Sequence, residues 1–229
     1  MPIRLYDLAG EDPQRRFSPF CWRTRMALAH KGLDVVTVPW RFTEKDAIAF
    51  SGQGRVPVIV DGDRTIHDSW KIALYLDGTY PERPTLFPEG HGVVRFVNSW
   101  ADTVQLPGLI RLVVADIEAH LHPKDRPYFR ATREKRLGVS LEEAQADREA
   151  RVKDFRNLLE PVRTTVAAQP YLSGEEPAYA DYIVFGAFQW ARSVSDFRLL
   201  QPDDPVAAWR GRMLDLFDGL ARKAKGYAA

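Results

Sequence analysis

The sequence predicts an α/β domain followed by an all-α domain. Three observations support this fold class. Short strand and helix patterns alternate through residues 1–81. A segment with three prolines follows at Pro81–Gly90, which predicts an interdomain linker. Beyond the linker, in residues 91–229, the strand signals end and apolar residues recur at helical spacing.

The first domain is predicted to follow the order β-α-β-(α)-β-β-α. Ser18 and Pro19 open its first helix as N-cap and first helical residue, and Gly32 ends it. Asp61-Gly62 lies between β-branched runs, which predicts a β-hairpin. The predicted strands are Ile3–Leu8, Val35–Val38, Val56–Val60 and Thr65–His67, and the other predicted helices are Glu44–Phe50 and Asp68–Tyr80.

The second domain is predicted to be helical, with prolines in the breaks between helices. Leu158, Val162 and Val166 recur at four-residue intervals, which is typical of one face of a helix. The predicted helices are Gly92–Ala119, Pro127–Leu137, Leu141–Ala168, Ala180–Ser195 and Pro205–Lys223.

The charge balance disfavours some classes of binding partner. The 229 residues carry 32 Lys+Arg and 31 Asp+Glu, a net charge of +1 without a long block of one sign. This balance argues against nucleic acid or an anionic membrane surface as a partner. Apolar stretches such as Leu109–Ala115 are much shorter than a membrane span, and Asp7 and Glu11 lie where a secretory signal would be apolar. We expect a cytoplasmic globular protein.

The cysteine and histidine content excludes several kinds of site. The chain has one cysteine, Cys21, which excludes an intrachain disulfide framework and a multi-cysteine metal site. His120 and His122 are two residues apart and so point to different helix faces, and no carboxylate–histidine spacing suggests zinc. None of the five histidines accompanies a Gly-x-Ser-x-Gly turn, which disfavours a hydrolase. We expect no metal.

Pro57 lies inside a strand pattern although proline cannot donate a ladder hydrogen bond. One interpretation is a proline on an edge strand. The other is a cis Val56-Pro57 bond, which would turn the Val56 N–H and C=O outward toward an extended, peptide-like ligand.

Two predicted helix starts carry polar residues that could bind anions. Ser18 is either a simple N-cap or a hydroxyl that donates a hydrogen bond to an external thiolate at a positive helix end. Cys21, inside the helix, is expected to be a small buried hydrophobe. Asp68-Ser69 is either a capping pair or a site for an ammonium group and a carboxylate.

Taken together, these motifs resemble the cytosolic glutathione transferase family. The resemblance covers nearly the whole chain and implies a thioredoxin-like first domain over 1–81 and an all-α second domain over 91–229. The residues that carry it are Ser18-Pro19-Phe20, Arg55-Val56-Pro57-Val58-Ile59-Val60-Asp61-Gly62, Asp68-Ser69-Trp70-Lys71-Ile72-Ala73-Leu74-Tyr75-Leu76 and Tyr80-Pro81.

The resemblance implies glutathione as co-substrate and a role for each matching residue. Ser18 would activate the glutathione sulfur, Val56 would pair with its cysteinyl backbone, and Asp68 and Ser69 would hold the γ-glutamyl end. Arg41 is expected to meet the glycine carboxylate. The remaining implied glutathione contacts are Phe20, Arg55 and Pro57, and the expected electrophile pocket between the domains is Phe17, Trp40, Phe42, Trp100 and Leu106.

A narrower resemblance, to the bacterial β-aryl etherases and their fungal-type relatives, implies glutathione-dependent cleavage of aryl ethers. It is carried by Ile3–Leu8, Trp22-Arg23-Thr24, His30-Lys31-Gly32, Asp68-Ser69-Trp70 and Asp215–Leu220. Three alternatives stay open: a detoxifying transferase of broad tolerance, an isomerase or lyase that returns glutathione unchanged, and a glutathione-binding scaffold.

The chain departs from the family pattern at one helix start. The family places Ser or Thr three residues before an Asp, whereas this chain has Ala178 before Asp181 and so lacks the capping oxygen, at a typical cost of about 1 kcal/mol. The family resemblance also implies a homodimer.

Overall fold

The computed structural model describes residues 2–228, so Met1 and Ala229, the outer limits of the two predicted domains, lie outside it. Within this range the first part of the chain forms a mixed sheet covered by helices. Its strands are β1 (Ile3–Leu8), β2 (Val35–Trp40), β3 (Val58–Asp61) and β4 (Arg64–His67), and its helices are α1 (Pro19–His30), a 3₁₀ helix (Lys45–Ser51) and α2 (Ser69–Thr79). The strand order is β2-β1-β3-β4, with β1 and β2 parallel and the other pairs antiparallel.

Pro57 explains where β3 begins. The Val56-Pro57 peptide bond is cis, and regular strand geometry starts one residue later than the proline, at Val58. The alternative of an edge strand is wrong, because β3 lies between β1 and β4. The predicted hairpin is present, since β3 and β4 pair through Asp61 and Arg64 around Gly62, whose φ of 56° suits a glycine.

The rest of the described chain is helical, so the predicted fold class, an α/β domain plus an all-α domain, is confirmed. The helices are α3 (His91–Trp100), α4 (Leu106–Glu118), α5 (Arg126–Leu137), α6 (Leu141–Gln145), α7 (Arg148–Leu158), α8 (Glu160–Ala168), α9 (Tyr179–Val194) and α10 (Pro205–Gly219). A π turn at Ala101–Gln105 joins α3 to α4, where Pro107 lacks the N–H that a regular α-helix would need.

The predicted long helix Leu141–Ala168 is wrong, because the chain forms three helices there. Asp147, with φ 57°, separates α6 from α7, and Pro161 lies in the first turn of α8. The expected common face of three apolar residues is wrong for the same reason. Leu158 ends α7 and is 38% exposed, whereas Val162 and Val166 of α8 are buried.

The predicted helix Pro205–Lys223 is also too long. Regular helical backbone is lost at Leu216, and Phe217 and Asp218 have φ of 53° and 56°. These two left-handed residues turn the chain, so that α10 cannot continue as one straight helix to Lys223.

The two parts of the fold meet where α9 packs against α1. A Cβ atom at Gly186 of α9 would lie 2.5 Å from the Pro19 carbonyl oxygen, so only glycine permits this approach. Arg23 of α1 reaches across to Asn98 and Asp102 at 3.2 and 2.8 Å. These contacts fix the first turn of α1 against the helical part of the molecule.

Asp181 anchors the start of α9. Its buried carboxylate accepts hydrogen bonds from the backbone N–H groups of Leu172, Ser173 and Ala178 and from the indole N–H of Trp209. Burial raises the pKa of Asp181, and these donors oppose that rise. Ala178 provides no side-chain cap, as expected, so the anchoring of this helix start depends on the carboxylate.

None of the helices within residues 2–228 combines the length and apolar character needed to cross a membrane. In the same described range, no cluster of three or more His, Cys, Asp or Glu side chains is arranged to hold a metal ion.

Candidate active site

Two adjoining clefts open at the N-termini of α1 and α2. The smaller cleft, about 450 Å³, is lined by residues of the first domain such as Pro57, Asp68 and Ser69. The larger, about 810 Å³, extends from Ser18 into the helical part of the molecule. Both clefts are lined by Phe20, Gly54, Arg55 and Val56, so the two volumes meet at these residues.

Ser18 lies at the N-terminus of α1, where the sequence placed it. It is buried, with only 4% exposure, and its Oγ accepts a hydrogen bond from the Cys21 N–H at 3.2 Å. The hydroxyl proton remains for donation into the large cleft, which Ser18 lines. The free N–H groups of a helix start add a positive potential at the same point.

Cys21, three residues after Ser18, is a poor nucleophile. Its side chain is fully buried, and burial together with the nearby Asp7 carboxylate raises the pKa of the thiol well above its usual range. The protonated thiol neither reaches the cleft nor ionises near neutral pH. Cys21 is therefore not a candidate nucleophile for this site.

Val56 and the start of α2 form the wall of the smaller cleft. Val56 is followed by the cis bond, and neither its N–H nor its C=O has a hydrogen-bond partner among residues 2–228. Asp68 caps α2 through hydrogen bonds from Trp70 and Lys71, both 3.1 Å. Its φ of 75° is rare for a residue other than glycine, and such backbone strain is concentrated at functional sites.

Ser69 is held from across the domain boundary. The Tyr179 hydroxyl of α9 donates a hydrogen bond to the Ser69 carbonyl oxygen at 2.6 Å. Ser69 itself is buried and lines the smaller cleft. The first turn of α2 is thus held in place both by its own cap and by the helical domain.

Arg41 does not line either cleft. Its guanidinium donates to the Gly10 and Glu11 carbonyl oxygens, both 3.1 Å, and pairs with Glu44 at 3.4 Å. These contacts tie the segment after β2 to the loop after β1. Lys45, which no sequence motif indicated, does line the large cleft, and it donates to the Gly54 carbonyl oxygen at 2.6 Å.

An aromatic wall, defined as Phe17, Trp40, Phe42, Tyr128 and Phe129, lines the large cleft. Phe42 is at its centre, since each of the other four rings has its centroid 5.9 to 6.4 Å from that of Phe42. These separations are typical of stabilising aromatic contacts. The wall combines residues from both domains.

Asp125 holds the aromatic wall together. This buried carboxylate accepts hydrogen bonds from the Phe42 N–H at 3.0 Å, the Thr43 N–H at 3.1 Å and the Thr43 hydroxyl at 2.6 Å. Asp125 precedes α5, so the helical domain fixes the backbone that carries Phe42. Nothing in the local sequence indicates this contact.

Of the two other residues expected in the electrophile pocket, one lines the large cleft and one does not. Leu106 lines the large cleft beside Ile110 and Trp190, whereas Trp100 at the end of α3 lines neither cleft. Sequence analysis also missed a set of cationic lining residues, which are Lys45, Arg111, Arg133 and Arg136 in addition to the expected Arg55.

Comparison with known sequences identifies both parts of the chain. The family described as "Glutathione S-transferase, N-terminal domain" matches residues 17–79, and the family described as "Glutathione S-transferase, C-terminal domain" matches residues 93–215. Glutathione S-transferase Z1 of Arabidopsis thaliana is 40% identical over 92 residues, which are 38% of this chain. The chain thus spans about two fifths (41%) of the length of that curated relative.

Solved structures of fungal transferases share the whole fold. Glutathione transferase GSTFuA3 from Phanerochaete chrysosporium is 28% identical with a TM-score of 0.77, covering 96% of this chain and 92% of its own. Glutathione S-transferase CsGST83044 of Ceriporiopsis subvermispora, solved in complex with glutathione, is 26% identical with a TM-score of 0.79, covering 95% and 98%.

Proposed function

Because this chain belongs to the glutathione S-transferase family, we propose that it joins glutathione to a hydrophobic electrophile. The observation that carries the proposal is the buried Ser18 hydroxyl at the start of α1, which lines the large cleft two residues before Phe20, a residue that lines both clefts. One cleft has the size and polar ends that suit a tripeptide, and the other has an aromatic wall. In the proposed function this arrangement would hold a thiol and an electrophile side by side.

The chemistry follows from the ionisation of the thiol. A free thiol has a pKa of about 8.5, so only a few per cent is thiolate at neutral pH. A hydrogen bond from Ser18 and the positive end of α1 both favour the thiolate over the thiol. The thiolate then attacks an electrophilic carbon held against the aromatic wall, and holding both reactants lowers the entropic barrier.

The smaller cleft provides partners for each part of glutathione. The unpaired Val56 N–H and C=O suit the cysteinyl backbone, as in the addition of a strand. The start of α2 suits the γ-glutamyl end, with Ser69 on the carboxylate and Asp68 on the ammonium group. Phe20 and Pro57 line the same cleft, and Lys45 and Arg55 are better placed than Arg41 for the glycine carboxylate.

The electrophile is proposed to be aromatic, and a β-aryl ether is one such substrate. In that reaction the glutathione sulfur would bond to the carbon that carries the aryloxy group, and the C–O bond would break with both electrons on the phenolate. The aromatic wall and Leu106 would hold the rings. This narrower activity is supported by the size and lining of the large cleft.

A homodimer is proposed from the surface of α3. Val93 is 59% and Phe96 74% exposed, which is unusual for large apolar side chains on one helix. Burying them against a second copy would remove this apolar surface from water. Sedimentation of the protein and of a Phe96→Asp variant tests this, since the variant is expected to shift toward monomer.

The first experiment is glutathione binding by calorimetry, followed by turnover of a fluorogenic β-aryl ether and a panel of other electrophiles. Binding with ether cleavage supports the narrow activity, and binding with turnover of other electrophiles alone supports conjugation but not etherase activity. Measuring glutathione consumption distinguishes conjugation from an isomerase or lyase, which returns it unchanged. Absence of binding at millimolar glutathione would contradict the proposal and leave a scaffold.

A further inference from the structure

The large cleft concentrates unpaired positive charge. Its one acidic lining residue, Asp102, is paired with Arg23 at 2.8 Å. Within residues 2–228, no carboxylate oxygen lies within 4.0 Å of any of the cationic lining groups, because the ion pairs involve other residues. A net charge of only +1 for the whole chain makes this concentration a local feature. The cationic lining groups are Lys45, Arg55, Arg111, Arg133 and Arg136.

Two arginines on α5 illustrate the difference between the cleft and the outer surface. Arg130 pairs with three carboxylates, those of Glu118, Glu134 and Glu142. Among residues 2–228, Arg133, three residues further on, has no such partner and hydrogen-bonds only to the Thr132 hydroxyl, at 2.9 Å. The inward-facing guanidinium is therefore uncompensated, whereas the outward-facing one is surrounded by negative charge.

The Arg133 guanidinium lies against two rings of the aromatic wall, where the ring of a bound ligand could also contact it. Its guanidinium carbon lies 4.7 Å from the Phe42 ring centroid and 4.8 Å from that of Phe129. Burial lowers its pKa to about 10, which still leaves the guanidinium charged at neutral pH. A desolvated cation without a counter-ion is unfavourable, and a bound anion would relieve this cost.

The cations divide between the two reactants by position. Arg55 lines both clefts, and Lys45 donates to the neighbouring Gly54, so both lie at the junction assigned to glutathione. Arg111, Arg133 and Arg136 line only the large cleft and belong to α4 and α5. This second group faces the reactant that glutathione attacks.

We propose that this reactant is an aromatic electrophile that carries a carboxylate, with its ring on the aromatic wall and its carboxylate on Arg133 and Arg136. The inference rests on the proposed transferase function and narrows its substrate class. A guanidinium matches a carboxylate in shape and charge, and stacking on Phe42 fixes the plane of the fork. For an aryl chloride, the thiolate sulfur bonds to the ring carbon, chloride leaves with the C–Cl electron pair, and the thiol proton passes to solvent.

The test compares two activated aryl chlorides, 4-chloro-3,5-dinitrobenzoate and 1-chloro-2,4-dinitrobenzene. Each kcat/KM is divided by the rate of the uncatalysed reaction with glutathione, and the anionic-to-neutral ratio of these values is the readout. We expect a ratio above one for the unmodified protein, a fall of about tenfold in Arg133→Met and a smaller fall in the exposed Arg136→Met. Lys135→Met, which removes one exposed charge from the same helix, is the matched control and should leave the ratio unchanged.

The outcomes separate this inference from the transferase proposal. An unchanged ratio in both arginine variants overturns the inference while conjugation of the neutral substrate stands. An equal loss for both substrates, with weaker glutathione binding by calorimetry, assigns Arg133 to glutathione and also overturns it. If neither chloride reacts, binding of 3,5-dinitrobenzoate against 1,3-dinitrobenzene tests the anion site alone, and equal affinities overturn the inference. The transferase proposal itself is decided by glutathione binding and by the panel of other electrophiles.

Discussion

The two clefts that meet beside Ser18 are built in different ways. The smaller uses residues 53–57, residues 67–69, Lys71 and Phe20, all from the first domain. The larger draws on residues from Leu8 to Trp190, so its walls exist only when the two domains are packed together. The smaller cleft therefore depends mainly on local backbone geometry, with the Tyr179 hydrogen bond to Ser69 as its tie to the helical domain. The larger cleft depends on the packing of distant segments.

Ser18→Ala should have the largest effect, because in the proposed function this hydroxyl donates to the reacting sulfur. We expect kcat/KM for a neutral electrophile to fall about 100-fold, the typical cost of removing one donor to a reacting anion. Thermal unfolding should report only the loss of an N-cap, about 1 kcal/mol.

Ser18→Thr keeps the hydroxyl and is the control, expected to retain much more activity than Ser18→Ala. Glutathione affinity should change little in either variant. Full conjugation activity in Ser18→Ala, with glutathione still bound, would reduce Ser18 to a helix cap.

Gly186→Ala tests the packing behind both clefts. The added Cβ would lie 2.5 Å from the Pro19 carbonyl oxygen, so α9 and the start of α1 must separate. We expect a loss of about 1–3 kcal/mol in the free energy of unfolding, together with lower activity. Urea unfolding followed by tryptophan fluorescence measures it.

Gly78→Ala is the matched control, because Gly78 is an exposed helical residue with no atom near the position of the added Cβ. It should stabilise the protein by about 0.5–1 kcal/mol, since alanine favours helix. Similar stability changes in both variants would show that the close approach at Gly186 is relaxed easily.

Asp125→Asn tests most directly whether the two clefts are independent of each other. The amide would place a donor against N–H groups that now donate to the carboxylate, at a cost of about 1–3 kcal/mol. Because Phe42 moves with that backbone, we expect kcat/KM for an aromatic electrophile to fall about tenfold at saturating glutathione. The glutathione Kd from calorimetry should stay unchanged. Weaker glutathione binding by the same factor would mean that the clefts are not independent.

Substitution of His30 has the smallest expected effect, a change in how the stability of the fold depends on pH. Its Nδ1 contacts the Tyr182 hydroxyl at 2.7 Å and its Nε2 the Thr85 carbonyl at 3.0 Å, so it joins α1, the linker and α9. Burial lowers the pKa of His30, and Lys31 lowers it further while Asp77 opposes this. The folded state therefore binds the proton less readily than the unfolded chain.

The stability that neutral His30 contributes to the folded state is fully present above pH 6.5. It is lost as the pH falls through that value toward the lower pKa of the folded state. The slope cannot exceed about 1.4 kcal/mol per pH unit for one proton. Urea unfolding at pH 7.5 and 5.5 should show that the free energy of unfolding falls more in the unmodified protein than in His30→Gln. Parallel losses would contradict the assignment.

The contrast between the clefts also explains what the sequence could predict. Val56, Pro57, Asp68 and Ser69 reach one cleft because they belong to short segments whose turns and caps are local. Arg41 does not, because Glu44, three residues on, captures its guanidinium together with two carbonyls. That i,i+3 pair was visible in the sequence and was the available signal.

The larger cleft was predictable only in part. Phe17, Trp40, Phe42 and Leu106 line it, but Trp100 does not, and the arginines of α4 and α5 were missed. The tertiary contacts that decide this, such as Asp125 with the Phe42 backbone, join residues about 80 positions apart. The break of residues 141–168 into three helices was missed because apolar spacing alone continues past Asp147 and Pro161.

The two sides of helix α5 hold their arginines in different electrostatic surroundings. Arg130 on its outer side belongs to an ion-pair network, whereas Arg133 on its inner side touches only aromatic rings and a neighbouring hydroxyl. Under the proposed assignment of Arg133 to a substrate carboxylate, replacing the inner residue would change the reactants admitted without disturbing the outer network. A mutant library restricted to the inner positions of α5 is then the economical way to redirect the protein.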